Sequence, residues 1–449
     1  MPEKKVFVVD TSVLIHDPSA ITQFDDNDVV MPYVVLHELD GLRKAPNGRG
    51  LAAREAIRRI ENLTDGFKVI EGVPLGEDGG YFAVSTEGMT EEVTDIGTLP
   101  KSARDDLVIR CAAAIGKNRP NTVIVSKDVG LRLKAMTPLW KVEAQDYLKS
   151  KIDSNSSYSG LHGDELTVSK EENESLLANV PVPAPDGLLA NEFVYIKGEE
   201  YSSLLLCRNR KGLLVPVPTF GKGICGGIHP LDDRQRMLLD VLLDDDVPCV
   251  AAHGPAGSGK TLLATAAGMN AITNKTVEQI MYMKPIVPVG QKDLGFLPGD
   301  KNEKLYEWLK PVFDNLKIIE MYLGKKRSSG GEDEIRQSLG EKMLLSGQLE
   351  MEAYAYLRGR NIHGAWVVLD ECQNTTRLEI RTAMTRMGEG TKCVLLADLS
   401  QIDNPYVDAE SCGITVTIEA LKGSELFAAV PLVSSQRSAL SQLVTERMP

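Results

Sequence analysis

The eight residues GPAGSGKT at Gly254–Thr261 constrain this chain more than any other stretch. They fit the pattern G-x-x-x-x-G-K-[ST], with an apolar run, PCVAA, leading in and a run of helix formers, LLATAAGM, leading out. A strand, a glycine turn and a helix in that order form a phosphate cradle. Gly254, Gly257 and Gly259, spaced by Pro255, Ala256 and Ser258, let backbone N–H groups turn toward a polyphosphate. The helix start adds partial positive charge, and Lys260 adds a full one. Thr261 is placed to ligate Mg²⁺. The loop predicts binding and hydrolysis of ATP. A merely flexible glycine turn would leave the flanking strand and helix unexplained.

The second half of such a site is WVVLDE at Trp366–Glu371, an apolar strand ending in two acids. That order puts Asp370 at the carboxyl edge of a sheet, beside the glycine loop. Asp370 would hold Mg²⁺ through water, and Glu371 would orient or deprotonate the attacking water. A third run, CVLLADLSQ, ends in Asp398 and Gln401, polar groups suited to sensing a γ-phosphate, although Asp398 also reads as a plain turn residue.

At 449 residues the chain calls for two or three domains. Residues 1–148 alternate strand-like runs (Val6–Val9, Val29–Leu36, Thr122–Val125) with helical ones (Leu51–Leu63, Leu107–Ile115), which indicates a parallel sheet. Arg54, Arg58 and Arg59 fall on the polar side of the first of those helices. Residues 149–192 turn polar, charged and proline-rich and read as a linker, followed by a small β unit over Phe193–Pro218. A second α/β alternation fills 229–449, with strands at Cys249–Ala252, Gln279–Met283, Ala365–Leu369 and Cys393–Ala397 and a loop at Lys325–Asp333. The domains are thus 1–148, 149–228 and 229–449.

In the first domain, acids mark the element ends. Asp10 closes VFVVD, Glu38 follows the second apolar run, Asp128 closes VIVSKD, and Asp105 and Asp106 open a helix. Strand carboxyl ends of an open parallel sheet share one crevice, so these residues can converge. Several carboxylates in one cleft need a cation, and Mg²⁺ or Mn²⁺ suits an all-oxygen site and phosphodiester hydrolysis. Taken singly, each acid also reads as a helix cap or turn residue.

Net charge is −13, from 63 acidic and 50 basic residues, which argues against coating nucleic acid with the whole surface but leaves room for a local basic groove. Seven scattered cysteines, none in a C-x-x-C pair, read as reduced thiols of a cytoplasmic protein. No apolar run nears the ~20 residues of a membrane span. The opening MPEKKVFVVD lacks a signal-peptide pattern.

DLGFLPGD at Asp293–Asp300, AYLRGRNIHGAWVVLDECQNTT at Ala355–Thr376 and ADLSQID at Ala397–Asp403 together resemble the PhoH-like ATPases, whose RecA-like core is related to helicase motors. The likeness covers roughly Leu231–Val444. It implies that Arg358, Arg360, Gln373, Asp398 and Gln401 surround the nucleotide, and that Gln235 resembles an adenine-reading glutamine. Arg437 in SSQRS resembles the family's C-terminal arginine. Ala397 departs from the glycine usual there but leaves the carboxylate in place. DTSVLIHDP, LHELDGLR, RDDLVIRCA and VIVSKDVGLRLKA resemble the PIN domain, a metal-dependent ribonuclease fold, over residues 4–148. Its acidic set falls on Asp10, Glu38, Asp105 and Asp128, with Asp106 a stand-in.

These resemblances imply an RNA-processing enzyme whose C-terminal motor moves on or unwinds RNA and whose N-terminal nuclease cuts it. The phosphate loop alone does not say what the ATP is for, so a nucleotide-gated RNA-binding switch is the rival. A PIN scaffold without catalysis is a third reading, and a small-molecule kinase fits less well because the acid pair favours water activation. A RecA-like site open at the sheet edge can be closed by a neighbour. That predicts a homo-oligomer, a hexameric ring in which Arg437 reaches the next protomer's nucleotide. The alternative for Arg437 is an ordinary surface ion pair.

Overall fold

The computed structural model describes residues 4–45, 48–64, 69, 71–76, 80–89, 96–148, 158–198, 204–225, 227–285, 301–324, 338–357, 359–404 and 406–434. They fall into two compact units. One comprises Met1–Lys151 with the short pieces Thr376–Glu379 and Asn404–Ser411, and the other comprises the remainder.

The first unit is built on strands β1 (Val6–Val9), β2 (Asp28–Pro32), β3 (Val73–Pro74), β4 (Tyr81–Ser85), β5 (Thr122–Val125) and β6 (Glu143–Gln145), in the order β3-β4-β2-β1-β5-β6. All neighbours are parallel except β3 and β4. β1, β2 and β5 are buried along their whole length, as continuous apolar runs in a covered parallel sheet should be. Helices Tyr33–Leu42 and Lys101–Gly116 carry Glu38 and Asp105, while Asp10 and Asp128 precede helices Thr11–His16 and Val129–Ala135 as their N-caps.

One boundary differs from the sequence reading. The expected strand Val29–Leu36 stops at Pro32, and Tyr33–Leu42 is helix, with Val34, Val35 and Leu39 turned to the core. An unbroken apolar run hides the switch of period. Glu38 therefore sits inside a helix, and Asp105 lies in the second turn of the helix that starts at Lys101.

In the second unit, strands β7 (Leu166–Val168), β8 (Val182–Pro183), β9 (Phe193–Gly198), β10 (Leu204–Arg210) and β11 (Leu213–Pro216) form a sheet ordered β7-β9-β10-β11-β8. Much of the segment expected to be linker, from Leu166 to Pro183, belongs to this module. Lys170–Leu177 is a helix held by a capping box, in which the Ser169 hydroxyl accepts from the Glu172 N–H and the Glu172 carboxylate accepts from the Ser169 N–H. Leu176 and Val182 pack with Val194, Ile196, Cys207 and Leu214 in a small core.

The larger sheet of this unit has the order β14 (Leu349–Ala353), β13 (Gln279–Lys284), β15 (Ala365–Leu369), β16 (Lys392–Ala397), β12 (Cys249–His253), β17 (Phe427–Pro431), every pair parallel. The four expected strands are present within a residue at each end. Register aligns their exits: His253 pairs with Ala397, Leu395 with Leu369, and Leu369 with Met283. Gly254, Asp398, Asp370 and Lys284 therefore emerge along one carboxyl edge.

Candidate functional site

The glycine loop has the backbone its sequence demands. Gly257 and Gly259 take φ of +79° and +91°, in the left-handed region. A Cβ on Gly254 would lie 2.1 Å from the Leu432 carbonyl oxygen, so only glycine fits there. Gly259 caps the helix Lys260–Thr273 without any side-chain bond, leaving that helix start to the cradle. Lys260 folds over the loop, its Nζ donating to the carbonyls of Gly254 (2.6 Å) and Pro255 (3.0 Å). His253, just before the loop, is held neutral; burial, then the charges of Lys260 and Arg234, bring its pKa down to about 4.

A cavity of about 390 Å³ opens here, lined by Ala256, Gly257, Gly259, Lys260 and Thr261 on one side. Asp370, Glu371, Gln373, Asp398 and Gln401 line the other, with Lys284 beside them. Gln373 is wholly buried and organises that side. Its Nε2 donates to Glu371 Oε2 (2.6 Å) and to the Gln401 carbonyl (3.1 Å), while its Oε1 accepts from the Asp398 N–H (3.1 Å). Burial, then repulsion from Asp370, pushes the Glu371 carboxyl above its usual range, which suits a proton acceptor.

Asp398 is 8% exposed; its Oδ1 accepts from Ser400, but its Oδ2 has no hydrogen-bond partner among the described residues. A buried orphan carboxylate oxygen in a cavity wall points to a ligand-borne donor or cation. The Thr261 hydroxyl and the Asp370 carboxylate share that cavity, so the donor chemistry fits Mg²⁺ carried by a triphosphate.

Gln235 does reach the loop, though its amide is engaged with protein. Nε2 donates to the Ser258 carbonyl (3.0 Å), and Oε1 accepts from the Leu231 N–H (2.8 Å). Arg360 pairs with Glu350 and Glu352 on β14 and is absent from the cavity lining. Arg358, Arg437, Asp293–Asp300 and the expected loop Lys325–Asp333 lie outside the described residues. Sequence reading missed Lys284, whose Nζ lies 3.2 Å from Asp370 Oδ2 and 3.9 Å from Glu371 Oε1. The signal was available, since Lys284 ends a recognised strand as Asp370 and Asp398 follow theirs.

In the first unit, Asp10 and Asp128 both cap helices. Asp10 accepts from the Ser12 N–H (3.2 Å) and from the hydroxyls of Ser12 (2.5 Å) and Ser126 (2.8 Å). Asp128 accepts from the N–H groups of Gly130 (2.8 Å) and Leu131 (3.2 Å). Glu38 is bonded by the Thr11 hydroxyl and lies 2.9 Å from Arg104 Nη1. Lys134 faces Asp105 at 3.5 Å, and Lys101 faces Asp128 at 2.6 Å.

The acids also feel one another. Burial first, with Asp10 and Asp105 adding repulsion, raises the Glu38 carboxyl; burial, with Asp10 and Asp128 adding, raises Asp105. Asp128 goes the other way: burial pushes its carboxyl up, but the bond to Lys101, the Lys101 charge and the N–H groups of Leu131 and Gly130 together bring it below its usual range. No group of three or more His, Cys, Asp or Glu among the described residues stands close enough to hold a metal ion. The oxygen-only donors and raised carboxyls suit a divalent cation, which would have to draw them together and displace Lys101, Arg104 and Lys134.

Comparison with known proteins bears on both units. A PIN domain family matches residues 7–148, and the PhoH-like protein family matches residues 227–448. Proteins named PhoH2 are similar from end to end. The one from Bacillus subtilis is 33% identical over 98% of this chain and 99% of its own length; that from Mycolicibacterium smegmatis is 31% identical over 99% and 97%. The chain belongs to the PhoH2 family. This chain thus joins a PIN domain to a PhoH-like P-loop domain. Among the described residues no helix is long and apolar enough to cross a membrane, and all seven cysteines are free.

Proposed function

We propose that this PhoH2-family chain is an ATP-dependent RNA-processing enzyme, in which a PhoH-like motor translocates on or unwinds RNA and the PIN domain cleaves it. The observation that carries this reading is the shared cavity of Lys260 and Thr261 with Asp370 and Glu371, the base-like carboxyl held in place by Gln373.

In hydrolysis, Lys260 and the loop amides neutralise the triphosphate. Glu371 takes the proton of a water that attacks the γ-phosphorus, and the bond to the β–γ bridging oxygen breaks to give ADP and phosphate. Asp398 and Gln401 read whether the γ-phosphate is present. Mg²⁺, held by Thr261 and Asp370, would neutralise charge that builds on the phosphate oxygens. In the PIN domain, Asp10, Glu38, Asp105 and Asp128 would hold Mg²⁺ or Mn²⁺, which would orient a water and neutralise charge at the scissile phosphate. RNA as the partner rests on the PIN and PhoH family match, and reduced thiols favour a cytoplasmic setting. The motor reading extends to a hexameric ring in which Arg437 completes the neighbour's site.

The test is a time course on RNA and DNA with wild type, Lys260→Ala and Asp10→Asn, each with and without ATP. RNA cut by wild type and by Lys260→Ala but not by Asp10→Asn, with ATP-driven unwinding only where Lys260 is intact, supports the proposal. ATP-dependent binding without unwinding would replace the motor with a switch.

A further inference from the structure

We infer that Lys284 is a further working residue of the nucleotide site: a cation held between Asp370 and Glu371 before the nucleotide enters, and delivered to the γ-phosphate once metal takes Asp370. This rests on the ATPase reading above and adds a residue to it.

Lys284 is the last residue of β13, and β13 pairs with β15 so that Met283 stands opposite Leu369. The residues that follow in register are Lys284 and Asp370, which brings ammonium and carboxylate together at the sheet edge. Nζ lies 3.2 Å from Asp370 Oδ2 and 3.9 Å from Glu371 Oε1, so one cation spans both acids. Its side chain is only 18% exposed and lines the same cavity as Lys260, Thr261 and Asp398. Charges there act more strongly than in bulk water. Two adjacent carboxylates, left alone in that wall, would repel and would be costly to keep ionised. Lys284 relieves this in the nucleotide-free site.

The water through which Asp370 would hold a divalent cation competes with the Lys284 ammonium for the same carboxylate. When the metal arrives with ATP, Lys284 loses that partner, and its four-carbon stem lets the head move within the cavity. The anion that enters this cavity is the triphosphate, whose γ end offers Lys284 a new partner. The pairing thus gives the site a second cation from the same chain, timed by metal entry. A purely structural ion pair predicts something else: its loss would loosen the β13 and β15 ends and weaken nucleotide binding and turnover together.

The experiment uses the full chain as wild type, Lys284→Met and Lys284→Arg. Binding of a fluorescent ATP analogue is followed across a Mg²⁺ titration, and steady-state hydrolysis gives kcat and KM. Lys284→Met should bind the analogue within about threefold of wild type, reach half-saturation at lower Mg²⁺, and lose about tenfold or more in kcat. Lys284→Arg should keep most of kcat. Lys284→Gln carries the same comparison if Lys284→Met does not fold by circular dichroism. A kcat within about twofold of wild type, or a loss confined to KM, overturns the inference. If wild type itself binds no analogue, the ATPase reading falls with it; wild-type turnover matched by Lys284→Met sinks the inference alone.

Discussion

Glu371 stands in the left-handed region, with φ 57° and ψ 36°, a conformation that non-glycine residues hold at a cost of about 1–3 kcal/mol. The surroundings enforce it: its N–H donates to Asp370 Oδ1 and its carbonyl accepts from the Asn374 N–H, both at 3.0 Å. Strain kept at one carboxylate beside a phosphate loop marks a working residue. Glu371→Gln should therefore keep nucleotide binding while kcat falls by about 10²–10⁴-fold, measured by phosphate release. Because its carboxyl is raised, wild-type turnover should climb with pH over a range above that of a free glutamate, as protonated Glu371 cannot accept a proton. Asp105 has a matching consequence for stability. Its folded carboxyl binds protons more tightly than the unfolded one, so its contribution is favourable at low pH and is lost as pH rises through the raised value. At neutral pH and without metal, Asp105→Asn should melt a few degrees above wild type, and this gain should vanish in acid. Asp370 and Glu371 were legible in sequence because four apolar residues announce the strand before them. Lys284 was not sought, because a lysine after a strand fits a solvated end equally well.

Helix caps show why the acids of the first unit read two ways. Asp10 and Asp128 are caps, as the bland reading had it, and they also belong to the charge-coupled group around Glu38 and Asp105. Asparagine caps as well as aspartate does, whereas alanine does not. Asp128→Ala should thus cost about 1 kcal/mol more stability than Asp128→Asn by urea unfolding, while both lose cleavage to a similar degree. Equal stabilities would remove the capping role. Gln235 poses a similar question in the second unit, where its helix start braces the loop through Ser258. If bracing is its work, Gln235→Ala should weaken ATP and GTP binding alike; a loss specific to ATP would restore the adenine-reading role. Four of the six strands in the P-loop sheet were legible because their apolar runs are short and bounded by acids, glycine or proline; the edge strands Leu349–Ala353 and Phe427–Pro431 were not read. The region 158–192 was misread because its short strands and charged helix bury few residues. The S-x-x-E box at Ser169–Glu172 was the local signal passed over.

At the scale of the assembled molecule, the glycine loop opens at the carboxyl edge of its sheet, where a second chain can approach. Lys260 and Lys284 both come from within the chain, and neither offers the planar fork that matches a γ-phosphate leaving as metaphosphate. Arg437, from the resemblance, is the guanidinium proposed to do so across an interface. A ring would also let a chain of net charge −13 gather its basic residues around one channel for RNA. The decisive measurement mixes two proteins, Arg437→Ala and Lys260→Ala, each expected to be inactive alone. In a ring assembled at random from equal parts, half the protomers keep an intact loop, and half of their neighbours keep an intact arginine. About a quarter of the interfaces are then complete, so ATPase activity should return toward about a quarter of the wild-type value. An arginine acting in cis gives no recovery at any ratio, because no single protomer then holds both groups. Light scattering at micromolar concentration with ATP supplies the companion reading. A monomer there, or no recovery despite confirmed co-assembly, rules out the trans arginine and leaves the site to cations of its own chain.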